Sequence, residues 1–386
     1  MNNKIILFYK RKLQEISNLS QNRKMVLSNR YMDSIVIRNN KRLVSFSCND
    51  YLGLTQNKKV INASIKAVNK YGTGSGSSRL VSGNNPLYEK LEKSLASFKG
   101  GEAACVFGSG YLTNSGVIPA LTSKGDLLLF DELSHASTNI GIKLSNAYSK
   151  SFKHNDANHV EQLLKKHRKQ YNICFLFTEG VFSMDGDRGI IKELAFLADK
   201  YNASIILDDA HGFGVLGNGK GSQYELNPVP KILIQMGTLS KAIGSYGGFI
   251  VAPKVIINLL YNKARSLIYT TGLPPSAIAA SIKSLEIIKK DKSLVKKPYE
   301  NAKLFCKMAN LPKPDSSIVS IILKSENNAM KASKIIEDNG YYVSAIRPPT
   351  VPINTSRLRF TFSASHKKND ILKLSELIKN INIINK

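Results

Sequence analysis

Lys241 follows an apolar run at residues 232–236, in a segment where small and polar residues could build a reactive site. Thr238 lies three positions before it and several glycines come soon after it. Upstream, Asp208 and His211 follow another apolar run. Burial lowers the pKa of a lysine, so that a neutral, nucleophilic amine becomes available. A desolvated lysine with an acid and an imidazole beside it favours Schiff-base chemistry.

Pyridoxal phosphate (PLP) is the cofactor that these residue types suit. It needs a lysine amine, a carboxylate that keeps its pyridine nitrogen protonated, and a donor near its phenolic oxygen. Asp208 and His211 can supply the second and third of these groups. A lysine after a strand is usually a solvated loop residue, and an Asp-Asp pair is usually a turn. Each signal alone is therefore weak, and the prediction rests on their combination.

The elements that must position these residues form an α/β pattern. Short apolar runs occur at residues 127–130, 173–177, 204–207, 232–236 and 249–252. They are nearly continuous rather than alternating, which is typical of strands covered on both faces, and helical patterns lie between most of them. We therefore predict a mostly parallel sheet with helices on both faces. Polar residues follow four successive runs, where ligands gather in such sheets.

The composition and the secondary-structure pattern change along the chain, and these changes predict three regions. Residues 1–45 predict an N-terminal arm, with a basic helix and a short hairpin around Asn39 and Asn40. Residues 46–285 predict the large PLP-binding domain. Residues 286–386 predict a smaller C-terminal α+β domain, because a lysine-rich helix leads there to strand patterns and a final helix.

Two glycine-rich segments are candidates for binding an anion. Residues 72–79 follow a helical pattern rather than a strand, which argues against a dinucleotide-binding loop and leaves a ligand contact, a subunit contact or a flexible loop. Gly110 and Tyr111 could open a helix whose free N–H groups meet a phosphate. His135, at another strand end, is a candidate to stack on a pyridine ring. The alternative is that His135 is an ordinary histidine of the protein core.

Composition excludes some classes of function. The chain has 386 residues, 42% of them hydrophobic, and no apolar run near the ~20 residues of a membrane span. Its four cysteines form no C-x-x-C, so neither a metal site nor a disulfide framework is indicated. The net charge of +27 is dispersed, which favours solvated surfaces over a nucleic-acid site. We expect a cytoplasmic protein that binds neither membranes nor nucleic acid.

Over essentially its whole length the chain resembles the α-oxoamine synthases, a family of fold-type I PLP enzymes. The resemblance is carried by segments 49–54, 72–79, 109–111, 133–137, 179–187, 208–212, 238–241 and 270–275. It implies a fold-type I architecture with a mostly parallel central sheet, a smaller C-terminal domain and an N-terminal arm. Tyr88 departs from the family pattern, where many members have a histidine, and Thr271-Gly272 is an unusual variant. Neither departure removes a required catalytic group.

The resemblance implies roles for the residues of the predicted PLP site. Lys241 would hold the cofactor and act as the base, Asp208 would pair with the pyridinium, and His211 would pair with the phenolic oxygen. His135 would stack on the ring and contact the substrate. The further cofactor contacts that the resemblance implies are Gly110, Tyr111, Ser183, Thr238 and, reaching the neighbouring subunit of a homodimer, Thr270 or Thr271.

The resemblance also implies substrate contacts and a reaction. Arg23, Asn49, Arg347, Thr350 and Arg359 would bind the substrates. Family members condense an amino acid with an acyl thioester and release CO2. Segments 153–156 and 345–352 favour L-alanine and a pimeloyl thioester, carried by coenzyme A or by acyl carrier protein. Three other family reactions remain open, namely those of 2-amino-3-ketobutyrate ligase, 5-aminolevulinate synthase and serine palmitoyltransferase. A basic nucleic-acid-binding protein that keeps the fold without the catalysis is the alternative from another class.

Overall fold

The computed structural model describes residues 3–19 and 21–380. Its helices are α1 Asn3–Asn18, α2 Lys58–Tyr71, α3 Pro86–Lys99, α4 Gly110–Leu121, α5 Ala136–Leu144, α6 Ala157–His167, α7 Ile191–Lys200, α8 Lys254–Lys263, α9 Arg265–Ile268, α10 Pro275–Lys290, α11 Lys292–Met308, α12 Glu326–Asp338 and α13 Lys368–Asn380. Its strands are β1 Ser28–Arg30, β2 Ile35–Arg38, β3 Lys41–Ser45, β4 Ala103–Phe107, β5 Leu127–Asp131, β6 Tyr148–Phe152, β7 Cys174–Glu179, β8 Ser204–Asp208, β9 Ile234–Thr238, β10 Gly248–Ala252, β11 Ile318–Lys324, β12 Tyr341–Tyr342, β13 Ser344–Ile346 and β14 Ser356–Thr361.

The described residues form two compact units. The larger comprises Asn49–Ser183 and Asp187–Tyr299. The smaller comprises the described residues of Met1–Cys48, Met184–Gly186 and Glu300–Lys386. The arm and the two domains expected from sequence, with boundaries after residues 45 and 285, stay a prediction.

The larger unit is built on a seven-stranded sheet. Its strand order is β4-β10-β9-β8-β7-β5-β6, and β9, β8, β7, β5 and β6 run parallel. β10 is antiparallel to both of its neighbours. All five apolar runs singled out from the sequence are strands of this sheet, so the predicted mostly parallel sheet is confirmed. The two edge strands, β4 and β6, were not predicted.

Hydrophobic residues cover both faces of this sheet. Leu127 and Leu129 of β5 pack in one core cluster, and Leu128 between them packs in another on the opposite face. Neighbouring side chains of a strand point to opposite faces, so a strand buried on both sides must be apolar throughout. This requirement explains why the central strands read as continuous apolar runs, whereas the edge strand β6 carries Ser149, Lys150 and Ser151.

The smaller unit contains two sheets. One is antiparallel, with the order β11-β14-β13, and the other has the order β1-β2-β3-β12. The predicted hairpin around Asn39 and Asn40 joins β2 to β3, and both residues have the positive φ angles, 47° and 61°, that a tight hairpin turn of this kind needs. Every residue of β14 is buried, including Arg357 and Arg359.

The described residues contain neither a membrane-spanning helix nor a metal-binding cluster. Within residues 3–19 and 21–380, no helix combines the length and the apolar character needed to cross a membrane. The same residues contain no group of three or more histidine, cysteine, aspartate or glutamate side chains arranged to hold a metal ion.

Candidate active site

Four parallel strands deliver polar residues to one edge of the large sheet. β5, β7, β8 and β9 run in the same direction, so their carboxyl ends lie at the same edge. Glu179 at the end of β7 pairs in register with Asp208 at the end of β8, and Asp208 pairs with Met236 of β9. Lys241 lies three residues beyond the end of β9. The segments that the sequence singled out therefore meet at this edge.

Lys241 and His211 are in direct contact. The Lys241 Nζ lies 2.7 Å from the His211 Nε2. The other ring nitrogen, Nδ1, lies 2.6 Å from the hydroxyl of Tyr51. Because a neutral imidazole has one donor and one acceptor nitrogen, the Tyr51 hydroxyl can determine which of them faces the lysine. Tyr51 was not singled out as a site residue from the sequence, since it precedes His211 by 160 positions.

The Asp208 carboxylate is buried and held by two donors. Asp208 is 5% exposed. Its Oδ2 accepts a hydrogen bond of 2.7 Å from the Asn114 side chain, and its Oδ1 accepts one of 3.0 Å from the Ala210 backbone N–H. An ionised carboxylate has about four acceptor positions, so these two bonds leave room for a further donor. Asn114, on α4, is a second residue that sequence reasoning missed.

His135 caps the start of α5 and is fixed at its backbone. Its N–H donates to the Glu179 Oε1 at 2.6 Å, and its ring Nδ1 lies 2.7 Å from the Ser137 hydroxyl. The residue is exposed overall, yet desolvation of the imidazole lowers its pKa; Asp208 opposes this shift and Lys241 adds to it. The lowered pKa favours the neutral form of the ring, which suits stacking on an aromatic ligand.

Glu179 begins one of the segments that carry the family resemblance, but it was not among the predicted site residues. It is 3% exposed. Burial raises the pKa of its carboxyl well above the usual range, and the charge of Asp208 raises it further. A carboxyl in such surroundings favours its neutral, protonated form.

The start of α4 forms a glycine-lined cradle beside β9. Ser109 caps the helix, with its hydroxyl accepting a hydrogen bond of 3.1 Å from the Leu112 N–H. A Cβ added at Gly110 would lie 3.5 Å from the Thr238 hydroxyl, and one added at Gly248 would lie 2.8 Å from the Gly110 nitrogen. The contact at Gly110 would be an ordinary one, whereas at Gly248 only a glycine lets the two segments approach this closely. The sequence prediction that a helix begins at Gly110 is confirmed.

Other predicted cofactor contacts lie around this cradle or further along the same unit. A Cβ added at Gly108 would lie 3.6 Å from the Thr270 methyl group. Thr271 is exposed and forms an isolated bridge with Ser78. Tyr111, in the first turn of α4, is 47% exposed. Ser183 follows Glu179 by four positions and Asn49 precedes Tyr51 by two, and both are half-buried.

The predicted contacts for the acyl substrate form a cluster in the smaller unit. The Arg23 guanidinium donates to the Thr350 hydroxyl at 3.2 Å. The Arg347 guanidinium donates to the backbone oxygen of Asn22 at 3.3 Å. Segments more than three hundred positions apart therefore meet here, as the sequence could not have shown. Arg359 is 6% exposed in β14 and donates to the Thr361 hydroxyl at 3.0 Å.

The larger unit's site has the groups that PLP requires. It offers a lysine amine, a buried carboxylate with free acceptor positions, an imidazole against the lysine, and a helix that begins at Gly110. The first N–H groups of a helix and its dipole favour bound anions. The residues present therefore fit PLP.

Comparison with known proteins supports this interpretation. The family model for aminotransferase class I and II matches residues 41–378. An 8-amino-7-oxononanoate synthase from Methylocella silvestris is 48% identical over 346 residues, which cover 90% of this chain and 99% of that protein.

Solved structures give the same fold. A serine palmitoyltransferase from S. paucimobilis with a bound PLP–myriocin aldimine has a TM-score of 0.90 at 28% identity, covering 97% of this chain and 96% of that one. An 8-amino-7-oxononanoate synthase from Francisella tularensis has a TM-score of 0.74 at 29% identity, covering 88% and 98%. The expected fold-type I architecture and the expected PLP cofactor are thereby confirmed. The chain belongs to the aminotransferase class I and II family and, within it, to the 8-amino-7-oxononanoate synthases, which are PLP-dependent acyltransferases.

Proposed function

We propose that this protein condenses L-alanine with a pimeloyl thioester, carried by coenzyme A or by acyl carrier protein, in cytoplasmic biotin synthesis. The products are 8-amino-7-oxononanoate, CO2 and the free thiol carrier. The observation that carries the proposal is the 48% identity with a synthase of that name over 90% of the chain. The contact between Lys241 and His211, beside a buried Asp208, supplies the groups that the chemistry needs.

Lys241 is the proposed base. Bound at this edge of the sheet, PLP supplies an electron sink for negative charge on the amino-acid Cα. The Lys241 amine takes the Cα proton and returns one after the carbon–carbon bond has formed and CO2 has left. His211, at 2.7 Å, holds the amine in place, and Tyr51 holds His211.

Asp208 is the proposed partner of the pyridine nitrogen. Its carboxylate keeps a proton on that nitrogen, which strengthens the electron sink. The hydrogen bonds from Asn114 and from the Ala210 backbone fix the orientation of the carboxylate. His135, held through its backbone by Glu179, is the proposed stacking residue and also a substrate contact.

The phosphate is proposed to bind at the start of α4. The N–H groups of Gly110 and Tyr111 would be its donors, and Thr238 and Ser183 are proposed as further cofactor contacts. Thr270 or Thr271 is proposed to reach the phosphate of the neighbouring subunit in a homodimer. Two subunits would then share each active site.

The smaller unit is proposed to bind the substrates with arginines. Arg23, Arg347 and Thr350 are proposed to contact the acyl substrate, since cationic side chains suit its anionic groups. Arg359 is proposed to bind the carboxylate of the amino acid. In the larger unit, Asn49 is proposed as a further substrate contact. A guanidinium recognises a carboxylate with two parallel hydrogen bonds.

The solved structures supply a second candidate function. The serine palmitoyltransferase structure matches this chain with a TM-score of 0.90, whereas the 8-amino-7-oxononanoate synthase structure matches it with 0.74. The two solved relatives differ little in identity, at 28% and 29%. The backbone likeness therefore does not separate these reactions, and condensation of serine with a long-chain acyl thioester is the second candidate.

A product assay tests the proposal against this candidate. The purified holoenzyme would be incubated with alanine, glycine or serine, each with pimeloyl, acetyl, succinyl or palmitoyl thioester, and products would be identified by mass spectrometry. We expect alanine with pimeloyl thioester to give the highest kcat/KM. A preference for serine with palmitoyl thioester would contradict the proposal and favour the second candidate.

A further inference from the structure

Lys99 and Asp209 form an ion pair inside the larger unit, and neither side chain is exposed to solvent. The Lys99 Nζ lies 3.6 Å from the Asp209 Oδ2, and both side chains have an exposure of 0%. Asp209 is the residue after Asp208, and Lys99 is the last residue of α3. We infer that Lys99 is a positioning residue for the segment that carries Asp208 and His211, and that it acts through Asp209. The inference rests on the proposed function, because it concerns how that site is held.

The Asp209 carboxylate is closely enclosed by a serine and by three glycines. It accepts hydrogen bonds from the Ser222 N–H at 3.0 Å and from the Ser222 hydroxyl at 2.7 Å. A Cβ added at Gly180, Gly212 or Gly221 would lie 2.3, 2.1 or 1.8 Å from an Asp209 oxygen. Three backbone segments therefore press against this carboxylate. A movement of the carboxylate towards any of these segments would therefore displace backbone.

Lys99 is held by its own partners. Its Nζ donates to the backbone oxygen of Lys220 at 2.9 Å. It also lies over the rings of Phe213 and Tyr224, at 5.6 and 5.4 Å from their centroids. Burial lowers the pKa of Lys99 and raises that of Asp209, and each group opposes the shift of the other. The two charges therefore depend on each other.

The backbone of Asp209 links this pair to the catalytic edge. Its N–H donates to the Met236 oxygen of β9 at 2.9 Å. Its carbonyl accepts from the N–H groups of Gly212, at 3.1 Å, and Phe213, at 2.8 Å. His211 is thus flanked by residues bonded to Asp209, and Asp208 is joined to it by a peptide bond. Displacement of Asp209 must tilt both groups that the proposed chemistry needs.

Removal of Lys99 alone leaves a buried carboxylate without its counter-charge. Such a group is costly, so it takes up a proton or moves towards water. Replacement of both charged partners by neutral side chains of similar size removes this cost. The pair can therefore be tested with the variants Lys99→Met, Asp209→Asn and the double variant Lys99→Met/Asp209→Asn.

Lys289→Met is the matched control. Lys289 donates to the Ser94 backbone oxygen at 3.3 Å and lies 5.5 Å from the centroid of the Phe98 ring. Like Lys99, it donates a hydrogen bond to a backbone carbonyl and lies over an aromatic ring. Unlike Lys99, it does not face Asp209. Its replacement should leave PLP binding and alanine exchange as in the wild type.

Three properties would be measured for each variant: the PLP dissociation constant, the rate of alanine Cα proton exchange in D2O from pH 6 to 9, and the Tm of the PLP-free protein. We expect Lys99→Met to weaken PLP binding and slow exchange by about tenfold or more, the loss that removal of an outer-shell partner causes in metal sites. Its exchange profile should gain a titration that the double variant lacks, because asparagine does not titrate. In the Asp209→Asn background, Lys99→Met should weaken PLP binding and slow exchange by less than about threefold.

Two results would overturn the inference. In the first, Lys99→Met lowers only the Tm, with an unchanged pH profile and PLP affinity. In the second, it causes the same loss in the Asp209→Asn background as in the wild type. If Lys99→Met does not fold, the double variant decides: PLP affinity equal to that of Asp209→Asn supports the inference, and weaker affinity contradicts it. Failure of the wild-type protein to exchange alanine would contradict the proposed function instead.

Discussion

Asp208 and His211 differ in what holds them, and the difference bears on their proposed roles. Asp208 is fixed through its carboxylate by an amide and a backbone N–H. His211 lies between a phenol and an amine, so both of its ring nitrogens are in hydrogen-bond contact. A fixed carboxylate suits a constant partner for a ring nitrogen, whereas a hydrogen-bonded imidazole suits a group beside a base.

Replacement of Asp208 by asparagine should separate cofactor binding from chemistry. The amide keeps the size and the acceptor oxygen but cannot hold a pyridinium proton, so the electron sink weakens. We expect Asp208→Asn to bind PLP while the alanine Cα proton exchanges about a hundredfold more slowly, or slower still. Exchange would be followed by NMR in D2O, with Asp199→Asn, on the exposed side of α7, as the control. Exchange at the wild-type rate in Asp208→Asn would show that Asp208 has another role.

At the scale of elements, the central strands were predictable because their physics is local. A strand covered on both faces must be apolar throughout, and β5, β7, β8, β9 and β10 all meet this requirement. β6 is an edge strand with polar residues, and β4 consists partly of small residues, so neither gives a clear pattern. Once the strands were predicted, their carboxyl ends were predicted as well. Lys241, Asp208 and His211 could therefore be singled out as polar residues that follow strand ends.

The supporting residues of the site could not be predicted from local patterns. Tyr51 meets His211 across 160 positions, and Asn114 meets Asp208 across 94. A tyrosine or an asparagine in a sequence is usually explained by packing or a turn, and its partner appears only when the sheet has formed. The acyl-site cluster of Arg23 and Thr350 depends in the same way on contacts across 327 positions.

The segment after β7 is held by a charged histidine, and this gives a prediction for stability. The His154 Nδ1 lies 2.9 Å from the Asp131 carboxylate, and its Nε2 lies 2.8 Å from that of Asp187. Burial opposes protonation of His154, but its hydrogen bonds to the two carboxylates outweigh burial and raise its pKa to about 10. A protonated His154 therefore stabilises the folded state, since the unfolded pKa is about 6.5.

This contribution should fall as the pH rises. It is complete below about pH 6.5 and is lost as the pH approaches 10, because the folded state then also gives up the proton. Since the side chain is partly exposed, we expect on the order of 2 kcal/mol. The free energy of unfolding of wild type and His154→Gln would be measured in urea at pH 6 and pH 10. The difference between the two proteins should be larger at pH 6; a difference independent of pH would rule out the charged form.

At the scale of the whole molecule, the fold does not determine which acyl group the enzyme uses. The backbone matches that of a serine palmitoyltransferase structure with a TM-score of 0.90 at 28% identity, and the sequence is 48% identical to that of an 8-amino-7-oxononanoate synthase. A shared fold positions the PLP chemistry but does not select the acyl chain, which depends on particular side chains. The arginines of the smaller unit are the proposed source of this selectivity.

Arg347 allows that proposal to be tested. If Arg347 binds the acyl substrate, Arg347→Ala should raise the KM for pimeloyl thioester by about tenfold or more, the usual effect of losing a charged hydrogen bond. The affinity for alanine should stay near that of the wild type. Arg38→Ala is the control, because Arg38 also donates from the smaller unit, to the Ser28 hydroxyl at 3.1 Å. A lowered Tm with normal kinetics would mean that Arg347 only anchors the backbone of Asn22.

The central claim of the account is that Lys241 is the residue that holds PLP. Borohydride fixes PLP covalently to the lysine amine that carries it, and peptide mapping by mass spectrometry identifies that lysine. We predict that the label will be found on the peptide that contains Lys241, and that Lys241→Ala, folded as judged by its Tm, will carry none. A label on another lysine, or a Lys241→Ala protein labelled like the wild type, would contradict the account.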